Sequence, residues 1–172
     1  MEWGLLLGSD VPFFFTAGCA LAEGRGEVLK EVSLPRKWVV IIFPGFRIST
    51  KWAYDQKKLK LTKEERKGKN ISFDAALSQG ETRHFFVNQL EEVVRNKYPF
   101  IDDLKCALIH SGATIALMSG SGSSVYGIFE NRARSLQAAK RWEGQDYLVH
   151  EGTTLDFNPI FEAKVLNDEP GS

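Results

Sequence analysis

The chain has 172 residues, of which 43% are hydrophobic and 26% charged, and its 22 basic and 22 acidic residues give a formal net charge of zero. This balance excludes a global field that would steer the protein to nucleic acid or to anionic lipid, so any anion-binding site must be local. Twelve Phe and four Trp residues supply large apolar surfaces, which is typical of a folded domain rather than of a disordered segment.

No apolar run approaches the length of about 20 residues that a membrane helix needs, and we expect no membrane span. The two cysteines, Cys19 and Cys106, lie far apart in apolar contexts, without metal-ligand or disulfide spacing. They are predicted to be buried, reduced thiols, which indicates a cytoplasmic protein. The three histidines also lack ligand spacing, and we predict no metal site.

The first predicted elements are strands. Residues 11–22 contain three consecutive Phe residues and are interpreted as a strand that enters a turn. Glycines at residues 24–26 reverse the chain, and residues 27–32 complete an antiparallel hairpin. Residues 38–43 are apolar, largely β-branched and followed by Pro-Gly, which predicts a buried strand.

A helix and a basic stretch come next. Ser49 is placed to cap a short helix that contains Thr50 and Tyr54. Residues 57–69 are strongly basic and polar. This stretch is either a solvated loop or, less favoured, a patch that attracts phosphate.

The second half of the chain alternates between helical and strand patterns. Apolar residues recur at helical spacing in two stretches, namely Phe86, Leu90 and Val93, and then Ile101, Leu104 and Leu108. A strand, a tight Gly/Ser turn, a strand, a helix and a last strand follow, at residues 113–118, 119–124, 125–129, 133–139 and 147–150. Helices followed by this mixture predict an α+β fold.

Asp10 is the first candidate for a chemical role. It lies at a junction between Gly8 and Pro12, where a carboxylate could be aimed into a cleft and accept a proton from a substrate hydroxyl. A simple turn or capping role suits the same position. Spacing alone favours that simpler role and leaves both open.

The second candidate is the run MSGSGSSVYG at residues 118–127. Alternating Gly and Ser residues allow backbone N–H groups and hydroxyls to converge on an anion such as a phosphate chain. A hairpin turn is the more frequent use of such a run, and no G-x-x-x-x-G-K-[ST] sequence occurs in the chain. Taken alone, this run leaves both interpretations open.

Five runs occur together in an order that carries a family resemblance. They are GSDVPFF at residues 8–14, GCALAEGRGE at 18–27, PGFRIST at 44–50, NQLE at 88–91 and SGSGSSVYG at 119–127. In the same order they resemble the G-[AS]-D-V-P-F-F, G-x-A-x-x-x-G-x-G-E, P-x-x-x-[IV]-[SP]-T and N-D-L-E segments and the third GHMP motif of the 4-diphosphocytidyl-2-C-methyl-D-erythritol kinases. The resemblance covers nearly the whole chain.

The resemblance implies a GHMP-kinase C-terminal domain over residues 35–172, built as an antiparallel sheet with helices on one face. Residues 1–34 would be the last strands of a truncated N-terminal, ATP-binding domain. The implied activity is ATP-dependent phosphorylation of the C2 hydroxyl of 4-diphosphocytidyl-2-C-methyl-D-erythritol, a step of non-mevalonate isoprenoid precursor biosynthesis. ATP would bind with Mg²⁺ as its counter-ion, without a tightly bound cofactor. The oligomeric state is left open.

The same resemblance assigns roles to individual residues. Asp10 takes the place of the catalytic base, which orients and deprotonates the hydroxyl that receives the phosphoryl group. Tyr54 matches a position that stacks on the substrate cytosine, and Thr50 matches a nearby polar contact. The phosphate region would be lined by Gly120, Ser121, Gly122 and Ser123. This interpretation requires Asp10 and the turn near Ser121 to form two walls of one cleft.

The family's strand with a catalytic Lys and its glycine-rich ATP loop have no counterpart in this sequence. We therefore expect a truncated form that does not catalyse the transfer by itself. One alternative is a non-catalytic, degenerate binding module of the same fold. Another is a GHMP kinase that acts on mevalonate, homoserine or galactose, which the DVPFF run disfavours. Binding of nucleic acid through residues 57–69 is disfavoured by the zero net charge.

Overall fold

A computed structural model of the protein describes residues 6, 8, 10–16, 18–24, 26, 28–58 and 86–157. The chain forms two compact units: residues 37–152 are one, and residues 1–36 together with 153–172 are the other. The assignment of residues 1–34 to an ATP-binding domain stays a prediction. Most of the basic stretch at residues 57–69, and His84, lie outside the described residues.

The unit of residues 1–36 and 153–172, called the first unit below, contains a 3₁₀ helix and a hairpin. Strands β1 (Ala20–Glu23) and β2 (Val28–Glu31) pair antiparallel, which confirms the predicted hairpin. The strand predicted from residue 11 is wrong at its start, because Val11–Phe15 forms the 3₁₀ helix. Pro12 has the fixed φ that suits a helix start, and the N–H of Thr16 closes the last turn on the carbonyl of Phe13 at 3.0 Å.

The other described elements form the second unit, apart from the last residue of β6. In chain order they are β3 (Trp38–Phe43), α1 (Thr50–Lys58), α2 (Glu91–Lys97), α3 (Phe100–His110), β4 (Ile115–Met118), β5 (Val125–Phe129), α4 (Arg132–Lys140) and β6 (Leu148–Thr153). The sheet order is β4-β5-β3-β6, and β5 pairs antiparallel with both β4 and β3. The sequence of strands and helices follows the split β-α-β pattern of ferredoxin-like domains. The predicted α+β fold is confirmed.

The core lies between the sheet and its helices. Helix α3 packs on β4 and β5, and α4 packs on β3 and β5. The helical stripe predicted at Ile101, Leu104 and Leu108 is buried and belongs to the same apolar cluster as Val40 of β3. A Cβ on Gly127 of β5 would lie 3.3 Å from the Cβ of Leu108, so this glycine lets α3 approach the sheet closely.

Two details of the sequence prediction differ from the structure. The stripe at Phe86 and Leu90 predicts a helix over both residues, whereas α2 begins at Glu91, because the residues before it form a turn. The apolar residues Ala133, Leu136 and Ala139 predict helix α4, but Leu136 is 38% exposed. Ser135 is buried instead, because its hydroxyl lies 2.6 Å from Oε1 of Glu151 on β6.

The cysteines differ from the prediction in burial. Both are free thiols, but Cys106 is exposed and Cys19 is only half-buried. Helical periodicity explains Cys106, because it lies two residues from both buried Leu104 and buried Leu108 and so points away from the sheet. In the part of the chain that the structure describes, no helix has the length and hydropathy to cross a bilayer.

Truncation of Leu108 tests the packing of α3. Leu108 is fully buried against the sheet, so Leu108→Ala should lower the free energy of unfolding by about 2–5 kcal/mol through lost contacts and a residual cavity. The neighbouring Ile109 is 36% exposed, and Ile109→Ala should cost less than half as much. Urea unfolding followed by circular dichroism measures both. Equal losses would contradict the assigned helix face.

Candidate functional site

A groove lies in the second unit at the C-terminal end of β4. Its volume is about 510 Å³, and its walls are Tyr54 of α1, residues 86–90, residues 117–120 and Tyr126 of β5. The aromatic residues Tyr54, Phe86 and Tyr126 and the backbone at Gly120 therefore line the same space. This is the combination of flat apolar surface and a few polar groups that small-molecule sites use.

One end of the groove is the Gly/Ser turn, residues 119–124, between β4 and β5. It is closed by hydrogen bonds from Ser119 N to Ser124 O at 2.8 Å and from Gly122 N to Ser119 O at 2.9 Å. Gly120 and Gly122 have φ values of 54° and 88°. Residues with a Cβ avoid this left-handed region, so the two glycines allow the tight reversal.

The Gly/Ser turn is anchored from its two sides. The amide Nδ2 of Asn88 donates to the carbonyls of Met118 at 2.8 Å and Gly120 at 2.6 Å. Oε1 of Glu91 accepts from the N–H of Met118 at 2.6 Å. Ser123, predicted to line the phosphate region, is 1% exposed and donates its hydroxyl to the carbonyl of Phe46. Its side chain therefore supports the turn from beneath.

Sequence reasoning gave Asn88 and Glu91 no role in the site. Their partner Met118 is 30 and 27 residues away in sequence, and the tertiary fold alone brings them together. The signal that could have found them is the NQLE run itself. An Asn just before a helix start can bond to backbone groups through its side chain, and a Glu three residues later lies in the first helical turn.

The two predicted substrate-binding residues lie beside this turn. Thr50 is the first residue of α1, and its Oγ1 lies 2.9 Å from Oγ of Ser121. The predicted cap at Ser49 is confirmed, because its Oγ accepts from Trp52 N at 3.3 Å. Tyr54 follows Thr50 by one helical turn, is 52% exposed and faces the groove. The structure thus brings Thr50, Tyr54 and the Gly/Ser turn together.

Asp10 belongs to the first unit. It is exposed and precedes the 3₁₀ helix, and the N–H of Val11 bonds to the carbonyl of Gly8 at 3.2 Å. Buried Pro12 fixes the chain immediately after it. A turn hydrogen bond and a buried proline thus flank Asp10. The prediction that Asp10 and Ser121 face each other across one cleft stays a prediction.

Tyr126 gives the groove a neutral hydroxyl. Burial of its phenol, and secondly the negative charge of Glu91, raise the pKa of Tyr126 above its ordinary value. The hydroxyl therefore keeps its proton at neutral pH. Among the described residues no group of three or more His, Cys, Asp or Glu side chains could hold a metal ion.

Comparison with known families and proteins places these features in context. Residues 66–147 match the family model described as GHMP kinases C terminal. The chain is 41% identical over 149 residues to the 4-diphosphocytidyl-2-C-methyl-D-erythritol kinase of Thermodesulfovibrio yellowstonii, covering 83% of this chain and 52% of that protein. It is 40% identical to the enzyme of the same name from Citrifermentans bemidjiense, covering 81% and 49%. The chain spans about half the length of the curated relatives it matches.

Solved structures agree with the sequence relatives. A crystal structure of 4-(cytidine 5'-diphospho)-2C-methyl-D-erythritol kinase superposes with a TM-score of 0.69 at 32% identity, over 87% of this chain and 54% of that one. Homoserine kinase from Cytophaga hutchinsonii superposes with a TM-score of 0.53 at 20% identity, over 83% and 49%, which shows the fold alone. The family resemblance inferred from the motifs is confirmed.

The two glycines of the turn should respond differently to a methyl group. A Cβ on Gly122 would lie 2.7 Å from Sδ of Met118, whereas a Cβ on Gly120 would meet no atom of the described residues within 4 Å. Gly120→Ala carries only the left-handed backbone cost, about 1–2 kcal/mol. Gly122→Ala adds overpacking and should lose about 2–5 kcal/mol in total. Chemical unfolding of both variants checks this, and equal losses would contradict the geometry of the turn.

The raised pKa of Tyr126 predicts a loss of stability in alkali. Below its ordinary pKa of about 10 the phenol is protonated in both folded and unfolded chains. Above that pH the unfolded chain loses the proton first, which favours unfolding. The free energy of unfolding of the wild type should therefore fall relative to Tyr126→Phe as the pH rises from 9 to 11. Parallel pH profiles in urea titrations would refute the shift.

Proposed function

Because the chain belongs to the GHMP kinase superfamily, we propose that it carries the substrate side of an ATP-dependent kinase for 4-diphosphocytidyl-2-C-methyl-D-erythritol. The reaction would transfer the γ-phosphoryl group of ATP to the C2 hydroxyl of this small molecule, in non-mevalonate isoprenoid precursor biosynthesis. The observation that carries the proposal is that Tyr54 and the start of the Gly/Ser turn line one groove, while Thr50 contacts Ser121 of the same turn. This proposal concerns the whole enzyme, of which such a chain spans about half.

Tyr54 is the proposed platform for the cytosine ring. Its phenol ring is half-exposed on the groove wall, with Phe86 lining the same space. Stacking of a base on an aromatic side chain contributes about 1–3 kcal/mol, and a flat ring needs no donor pattern to achieve this. Thr50 lies one helical turn earlier, where its hydroxyl can exchange hydrogen bonds with Ser121 and with a bound nucleotide.

The Gly/Ser turn is the proposed phosphate region. Gly120 is open on its Cβ side, and Ser121 presents its hydroxyl next to Thr50. Successive N–H groups in a turn that contains left-handed residues form a concave site for anions. Gly122 and Ser123 support this backbone from within. ATP would bring Mg²⁺ as a counter-ion on its own phosphates, and the described residues need not supply a metal cage.

Asp10 is the proposed catalytic base. As the C2 oxygen forms a bond to the γ-phosphorus, the bond from that phosphorus to the bridging oxygen of ADP breaks, and the hydroxyl proton passes to the Asp10 carboxylate. The hydrogen bond from Val11 to Gly8 and the burial of Pro12 support this role, because a base must be oriented with little freedom. The free thiols Cys19 and Cys106 support a reducing, cytoplasmic setting.

Cytidine 5'-diphosphate tests the proposed substrate side. The wild-type chain should bind it, and Tyr54→Ala should weaken binding by about tenfold, because stacking on the base is lost. Tyr54→Phe retains the ring and should bind within about twofold of the wild type. Isothermal titration calorimetry measures all three proteins.

A phosphoryl-transfer assay with ATP separates the two main alternatives. Asp10→Asn should leave the binding of cytidine 5'-diphosphate unchanged and abolish any transfer that the intact enzyme supports. Nucleotide binding without transfer, in a protein that includes every segment of the gene product, would support the non-catalytic binding module. Absence of binding by the wild type would refute the proposed substrate side.

A further inference from the structure

Asn88 lines the groove, yet its side chain is fully engaged with the protein. A primary amide has two N–H donors on one nitrogen. In Asn88 that nitrogen donates to the carbonyls of Met118 at 2.8 Å and Gly120 at 2.6 Å, while Oδ1 accepts from the N–H of Leu90 at 3.0 Å. No donor of this side chain is left for a ligand. Asn88 therefore acts on the shape of the groove.

The two carbonyls that Asn88 binds define the start of the Gly/Ser turn. Met118 is the last residue of β4, and Gly120, with φ of 54°, is where the chain first reverses. Carbonyls two residues apart can converge on one nitrogen only if the backbone between them bends around it. A carboxylate in this place would face two carbonyl oxygens with no proton to share, so an amide is required.

Glu91 binds the same residue, Met118, through its backbone N–H. Its Oε1 accepts from the N–H of Met118 at 2.6 Å, and its Oε2 pairs with Nζ of Lys105. The side chains of Glu91 and Lys105 are only 14% and 21% exposed, so their interaction is weakly screened by solvent. Buried Leu90 fixes the segment between the two anchoring residues in the core. The backbone C=O and N–H of Met118 thus bond to the side chains of Asn88 and Glu91, respectively.

We propose that Asn88 is a positioning residue that sets the Gly/Ser turn for the diphosphate of the nucleotide substrate. By holding Gly120 it places Ser121 within 2.9 Å of Thr50 and keeps the open side of the turn towards the groove. This inference rests on the proposed function. Asn88 shapes the end of the groove proposed for the diphosphate, whereas the ring of Tyr54 forms the end proposed for the base.

Asn88→Asp isolates this role, because it changes the side chain by one atom. The ionised carboxylate cannot donate and repels the carbonyls of Met118 and Gly120, which should displace the turn. A protonated carboxyl group can donate one hydrogen bond and restore part of the geometry. The flanking carbonyls and Glu91 favour this protonated form above the ordinary pKa of about 4. Asn96→Asp is the matched control, because Asn96 is exposed on α2.

The test compares cytidine with cytidine 5'-diphosphate by calorimetry. At pH 8, Asn88→Asp should weaken binding of the diphosphate by about tenfold and leave binding of cytidine within about twofold, whereas Tyr54→Ala should weaken both. At pH 5 the deficit of Asn88→Asp relative to the wild type should become smaller. Asn96→Asp should match the wild type at both pH values.

Two calorimetric results would overturn the proposal. Equal losses for cytidine and its diphosphate would assign Asn88 a merely structural role, and no loss for either would deny it any role. If the wild type binds neither ligand, the proposed function fails, and nuclear magnetic resonance decides the positioning role separately. The amide signals of Gly120 and Gly122 should then shift between pH 8 and pH 5 in Asn88→Asp and not in Asn96→Asp. Their constancy would also overturn it.

Discussion

A chain that leaves a β-sheet must find new partners for its peptide groups, because buried backbone N–H and C=O groups without hydrogen bonds are costly. In this protein that demand falls on Met118, the last residue of β4, and on the six residues that connect it to β5. Asn88 and Glu91 take the carbonyls of Met118 and Gly120 and the N–H of Met118. These hydrogen bonds orient the Gly/Ser turn, and the position of Ser121 beside Thr50 depends on that orientation.

The second consequence concerns the start of α1. Ser49 caps this helix, so the first turn has a defined orientation and presents Thr50 to Ser121. Tyr54 lies one helical turn further along α1, so its position also depends on how the helix begins. Helix α1 and the Gly/Ser turn are thereby linked by the contact between the hydroxyls of Thr50 and Ser121. This contact brings together two segments that lie 71 residues apart in sequence.

Much of the fold was predictable from the sequence because its signals are local. The apolar run of β3 and the stripe of α3 describe buried faces that need no knowledge of the rest of the chain. The segment at Val11–Phe15 was mispredicted because three consecutive Phe residues fit a strand as well as a helical turn. Ser135 was missed because only its contact with Glu151 explains why a polar residue is buried. The anchoring by Asn88 likewise depends on tertiary contacts.

The two glycines of the Gly/Ser turn differ in their surroundings. Gly122 has a positive φ, and Met118 and Ile48 also leave no room for a Cβ there. At Gly120 none of the described residues has an atom within 4 Å of a Cβ, so packing does not explain this glycine. Its positive φ and the open space beside it suit the close approach of a ligand to bare backbone. Of these similar glycines, one packs against the core and the other faces open space beside the groove, which is why the run by itself leaves both a hairpin turn and a phosphate site open.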